Sequence, residues 1–153
     1  MNRPKIMMKL KYLKLLLVTI VAIGCKTPTI SKIVAAYPDG STKTELILSP
    51  DEKIKYERIS YFDDGKIALK GKFKDNKREG RWVSYFMDGK INSINNYKNG
   101  EYDGEYLVYN KDGNIILKGA YNNGLKFGVW TSFDKNGVET DFKKFDEKGN
   151  QIK

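Results

Sequence analysis

Residues 71–89 read GKFKDNKREGRWVSYFMDG, residues 95–113 read NNYKNGEYDGEYLVYNKDG and residues 119–137 read GAYNNGLKFGVWTSFDKNG. Laid over one another, the three stretches need no gap, and each begins twenty-four positions after the last. Aligned columns then emerge. Phe73, Tyr97 and Tyr121 share one, with Phe145 as a fourth member, and Trp82, Tyr106 and Trp130 share another. Tyr61, Tyr85, Tyr109 and Phe133 form a third. Gly65, Gly89, Gly113 and Gly137 recur at the same period, as do Gly80, Gly104 and Gly128. A fixed period of this length marks a repeat array, in which one unit cannot bury its apolar side alone and stacks on its neighbours.

Outward from these columns the pattern is that of strands and tight turns. Ile67, Leu69, Gly71 and Phe73 fall on one side of a strand by period-two alternation, with Lys66, Lys70, Lys72 and Lys74 on the other. Ile115, Leu117, Gly119 and Tyr121 repeat it. The return strand is expected over 81–86, 105–110 and 129–134, which are rich in aromatic and β-branched residues. Asp64-Gly65, Asp88-Gly89, Asp112-Gly113 and Asn136-Gly137 predict hairpin turns needing positive φ. A longer connection is expected to end at Gly80, Gly104 and Gly128, with Asn76, Gly100 and Gly124 tolerating a left-handed backbone. Gly71, Asn95 and Gly119, inside a strand, predict a bulge or a close backbone approach. All four prolines precede residue 51, while 12 of the 14 glycines lie between 65 and 149. The expected fold is all-β: an antiparallel meander of repeated β-hairpins forming an elongated, twisted sheet over 61–153. Residues 37–60 read as a degenerate unit or N-terminal cap, since Tyr37 precedes Tyr61 by one period but Gly40 slips by one position. Residues 138–153 read as a C-terminal cap.

The start of the chain is of another kind. Arg3, Lys5, Lys9, Lys11 and Lys14 precede an apolar run, LLLVTIVAI, over 15–23. Nine residues fall short of the roughly 20 that span a bilayer and suit the apolar region of a signal peptide. The run ends in Ala22-Ile23-Gly24-Cys25, and Cys25 is the only cysteine, so no internal disulfide is possible. Residues 1–25 resemble a bacterial lipoprotein signal, which implies acylation at Cys25, export and a membrane anchor. Lys26 supplies no acidic retention signal, which points to the outer membrane in a two-membrane cell. Residues 26–36 read as a tether. The leader carries five of the 28 basic residues and none of the 19 acidic ones, so the net charge of +9 falls to +4 without it. That balance, with export, gives no reason to expect nucleic acid.

The stretch 71–89 and its two copies resemble MORN repeats, in the variant found in bacterial proteins of the YwqK antitoxin-like group. The resemblance covers about 59–150 and implies a hairpin scaffold whose recurring residues are structural. It implies binding of proteins or, in some cases, lipids, and the group's label implies a toxin partner.

Chemistry is sparse. With no histidine and one cysteine expected to be acylated, His-based triads, His ligands and thiol nucleophiles are excluded. Asp63, Asp64, Asp88, Asp112 and Asp134 fall at turns, and Asp134-Lys135-Asn136-Gly137 lacks the alternating oxygens and later Glu of a calcium loop. No catalytic residue, metal site or cofactor is expected. The aromatic columns are read as inter-hairpin packing rather than a stacking platform. A single-layer sheet leaves an apolar side needing cover, by coiling, by a terminal strand or by a partner. The expectation is a non-enzymatic, membrane-anchored scaffold binding a protein partner in the bacterial cell envelope. Its alternatives are an antitoxin-like protein and a binder of lipid or cell-wall surfaces.

Overall fold

A computed structural model describes residues 30–48 and 55–153. The signal segment, Cys25 and the first tether residues lie outside the described residues. Among the described residues eleven strands form one sheet in which every hydrogen-bonded neighbour is consecutive in sequence and antiparallel. They are β1 (Ile30–Ala36), β2 (Thr42–Leu48), β3 (Lys55–Tyr61), β4 (Ile67–Lys74), β5 (Lys77–Tyr85), β6 (Ile91–Lys98), β7 (Glu101–Tyr109), β8 (Ile115–Asn122), β9 (Leu125–Phe133), β10 (Glu139–Phe145) and β11 (Gln151–Ile152). The expected meander is therefore present, and among the described residues it contains no helix. The tether expectation is corrected over 30–36, which form β1 on β2. As an edge strand with Ile30, Ile33 and Val34 exposed, β1 shows no apolar alternation to read.

Two turn types alternate between the ends of the sheet. At one end Phe62 N–H donates to Lys66 C=O and Gly65 N–H donates to Phe62 C=O, at 2.8 and 3.1 Å. Only Gly65 has positive φ there, so Asp64-Gly65 is a type I turn closed by a glycine bulge rather than a two-residue primed turn. The same pair of bonds recurs from Phe86, Asn110 and Asp134, and also from Tyr37. The N-terminal hairpin thus follows the register of Gly40, which precedes Gly65 by one position more than a full period. At the other end the turns are tighter than expected. Asp75-Asn76, Asn99-Gly100 and Asn123-Gly124 have positive φ at both residues and join strands directly. Asparagine and aspartate tolerate the left-handed region, so no longer connection is required. The return strands accordingly begin at Lys77, Glu101 and Leu125. Gly80, with φ of 66°, is a kink inside β5 rather than the end of a loop, and Gly104 and Gly128 repeat it.

The bulges expected at Gly71, Asn95 and Gly119 are there as shifts in register between β4 and β5, β6 and β7, and β8 and β9. A second set was not expected. Tyr61 pairs with Ile67 while Ser60 pairs with Leu69, leaving Ala68 as an extra residue. Tyr109 with Ile115 repeats the shift. The bulge carries Ile67 and Ile115 to the side opposite Leu69 and Leu117, which corrects the unbroken alternation. Ile91 and Ile115 instead pack with Tyr85 and Tyr109 around Val83, Ile94 and Leu107, a buried row on that side.

Candidate binding surface

The sheet has two chemically different faces. On the aromatic face Tyr56 stacks on Phe73 at 4.9 Å between ring centroids, and Phe73 meets Trp82 edge-on at 5.0 Å. The contacts continue through Tyr97, Tyr102, Tyr106 and Tyr121 to Trp130 and Phe145. Trp82 lies flat over Gly71 and Trp130 over Gly119, so close that a Cβ at either glycine would overlap the indole. Each indole N–H donates to a backbone carbonyl, Trp82 Nε1 to Lys72 O at 3.1 Å and Trp130 Nε1 to Ala120 O at 3.0 Å. The middle unit solves the same problem with a different pair. Asn95 stands where the others have glycine and Tyr106 where they have tryptophan, and Asn95 Oδ1 is buried without a hydrogen-bond partner.

Residues 78, 102 and 126, one period apart, roof this ladder. Arg78 lies 4.5 Å above Trp82 and donates from Nη1 to Tyr97 Oη at 2.7 Å. Lys126 lies 4.5 Å above Trp130, and Tyr102 stacks on Tyr97 and Tyr121. Trp82 is left 1% exposed and Trp130 5%. Trp82, Tyr97 and Trp130 are therefore interior, while Phe73, Tyr102, Tyr106 and Tyr121 are half-buried. Burial and a hydrogen bond with Tyr102 push the Tyr97 phenol up to about 12, against the opposing charge of Arg78. Burial likewise raises Tyr106 and Tyr121.

The residues singled out from sequence thus serve the frame. Gly65, Gly89, Gly113 and Gly137 close turns, Gly80, Gly104 and Gly128 kink strands, and Trp82, Tyr106 and Trp130 fill the ladder. The carboxylates of Asp64, Asp88 and Asp134 are engaged within their own turns. Asp64 is held below its ordinary range by Lys66, which bonds it through side chain and backbone. Asp134 Oδ1 accepts from Asn136 N–H and Val138 N–H, a turn role. Among the described residues no three His, Cys, Asp or Glu side chains converge to hold a metal ion. The lysine row is also divided. Lys66 ties its turn to Asp64 and to Met87 O, and Lys70 pairs with Glu57 at 3.4 Å. Lys72 and Lys74 remain exposed.

The reverse face differs at equivalent positions, and sequence reading aimed at sameness passes over it. Alternating with the ladder residues of β5 are Lys77, Glu79 and Arg81. One period later, on β7, the same three places hold Glu101, Asp103 and Glu105. On β9 they hold Leu125, Phe127 and Val129. The last three are 48%, 40% and 53% exposed, and Phe142 and Ile152 extend them on β10 and β11. Outside its buried row, the reverse face therefore carries a basic strip over β4–β6, with Lys72, Lys74 and Lys98, the last directly across from Glu101, then an acidic strip on β7, then an apolar one. A separate groove of about 500 Å³ lies at the end bearing the glycine-closed turns, lined by Phe62, Tyr85, Phe86, Met87, Asp88 and Lys111.

The family profile described as a MORN repeat variant matches residues 78–99, which run from the second residue of β5 into the turn after β6. No curated protein sequence matches the chain. Among solved structures, a crystal structure of TarM is similar at 17% identity and a TM-score of 0.42, over 71% of this chain and 20% of that one. A mutant of S. aureus TarM in complex with fondaparinux, alpha-GlcNAc-glycerol and UDP is similar at 15% identity and a TM-score of 0.31, over 81% of this chain and 21% of that one. The chain spans about a fifth of the length of these two structures.

Proposed function

We propose that the protein is a non-enzymatic display scaffold of the bacterial cell envelope, anchored through an acylated Cys25 behind a lipoprotein-type signal, whose reverse face binds a partner. One observation carries the reading. Across three equivalent units the aromatic face keeps the same kinds of residue, while the exposed half of the reverse face, beside its buried row of Val83, Ile94 and Leu107, changes from basic to acidic to apolar. Packing demands sameness from every unit of an array. Exposed positions free of that demand, differing unit by unit and including five exposed apolar side chains, suit recognition. The MORN resemblance supports the scaffold, and the leader supports the anchor.

The test has two parts on the full chain expressed in a bacterial host. Palmitate labelling should depend on Cys25 and vanish with Cys25→Ser. Amine cross-linking in cells should give a discrete adduct that is lost when Arg81→Glu, Glu105→Lys and Phe127→Asp are combined. An adduct insensitive to that combined variant, or none, would refute the recognition role. A second reading, attachment to anionic lipid or cell-wall polymer, is favoured by Lys72, Lys74, Lys77 and Arg81. All four are exposed, and none takes part in the ion pairs formed among the described residues. The antitoxin reading rests on the YwqK-group resemblance alone and predicts toxicity on depletion.

A further inference from the structure

We infer that the partner of the reverse face is a single polypeptide whose contact surface presents acidic, then basic, then apolar groups, running across the strands from β4–β5 to β9–β11. The inference rests on the reading that this face is the recognition surface.

The argument is one of charge order. Strands in a sheet lie about 4.8 Å apart, so β5, β7 and β9 are separated by about 10 Å at each step. The first strip presents Lys72, Lys74, Lys77 and Arg81, with Glu79 occupied in accepting Asn99 N–H at 3.0 Å. The second presents Glu101, with Lys98 directly opposite on β6, and Glu105, both exposed, with Asp103 accepting Asn123 N–H at 3.2 Å. The third presents Leu125, Phe127, Val129, Phe142 and Ile152. Lys118 stands beside this apolar strip on β8, and Lys144 on β10 lies within it, between Val129 and Ile152. A membrane surface or a wall polyanion carries one sign of charge. Docked on the basic strip, it would meet the carboxylates of β7 about 10 Å away, roughly one Debye length at physiological salt. The acidic strip opposes such a ligand, and an apolar strip adds little to a phosphate polymer. A folded or extended polypeptide changes chemistry over the same distances, and like-charge juxtaposition is how interfaces exclude wrong partners. The basic strip thus selects acidic side chains, the acidic strip Lys or Arg, and the apolar strip a hydrophobic anchor.

The two kinds of partner answer charge reversal with opposite signs, and this sets the test. A photo-reactive amino acid is placed in the full chain in place of Lys74, Glu105 or Val129, and cells are irradiated. The expected result is the same polypeptide trapped from all three positions. Fragment mapping should place acidic residues against position 74, Lys or Arg against 105 and apolar residues against 129. Adding Lys77→Glu with Arg81→Glu should lower the yield about tenfold, and so should Glu101→Lys with Glu105→Lys. Emission from Trp82 and Trp130, on the other face, should stay native in every variant. Opposite responses, with loss on the first reversal and gain on the second, would assign an anionic surface. That result overturns this inference and leaves the scaffold reading standing. Different proteins at the three positions, a wrong order of chemistry, an unchanged yield in either reversal, or adducts between two copies would also overturn it. No adduct from any position would remove both this inference and the recognition role.

Discussion

The two faces of one sheet are built from the same strands, yet they follow different rules. On the aromatic face, Trp82 and Trp130 occupy the same place two periods apart, with the same glycine beneath and a cation above. On the reverse face, Arg81 and Val129 are also two periods apart and have nothing in common. A repeat array needs its units to match only where they touch. What may differ without cost to the stack is therefore where an individual protein can specialise.

The comparison breaks first, and hardest, at the ladder. Trp82→Ala removes the most buried large side chain and one indole hydrogen bond, and should destabilise by about 3–5 kcal/mol in denaturant unfolding. Next comes Gly71→Ala, whose methyl would overlap the Trp82 ring and should cost about 1–3 kcal/mol. A thermal midpoint matching that of wild type would show that the indole is free to move aside. Smaller and more diagnostic is the middle unit. Tyr106→Trp alone should destabilise, because Asn95 occupies the space that glycine leaves elsewhere. Combined with Asn95→Gly it should recover, with a coupling energy of about 1 kcal/mol in a double-mutant cycle.

The pH response is milder. Tyr97 has a pKa above its unfolded value, so the folded state holds the proton more tightly. Its contribution is complete below about pH 10 and lost as pH rises towards about 12. Tyr61 behaves alike, raised to about 12 by burial and by Glu45. Ultraviolet titration should show both ionising late, and Tyr97→Phe should remove one late step. Smallest of all, Arg81→Ala and Glu105→Ala should stay within about 0.5 kcal/mol of wild type. A larger loss at either would mean that these exposed positions hold the sheet together as the buried row of Val83, Ile94 and Leu107 on the same side does.

Much of the aromatic face was legible in the sequence, because period, glycine and aromatic columns report the contacts directly. Gly71 and Gly119 signalled a close approach, and the indoles of Trp82 and Trp130 supply it. The losses have local causes. Ala68 reads as one more strand residue, and only the pairing of Tyr61 with Ile67 reveals the bulge that turns Ile67 over. Asp75-Asn76 can join strands directly because aspartate and asparagine accept positive φ, a possibility that hid the first turn-side stretch of β5, from Lys77 to Gly80. Asp64-Gly65 carries the signal of a two-residue turn and forms a longer one, since the preceding Phe62 closes the bonds. The strips of the reverse face left no periodic mark. Their signal is a difference between aligned columns, visible only once the two sides of each strand are known.

Because every strand pairs only with those before and after it, each pairing closes a short segment of chain and no strand waits for a distant mate. Low contact order of this kind favours fast assembly. The sheet can therefore grow in the order in which the polypeptide is delivered, hairpin upon hairpin, with Trp82 seated over Gly71 before Trp130 has arrived. A chain delivered from its N-terminal end would begin to take its final shape before its last strands had arrived.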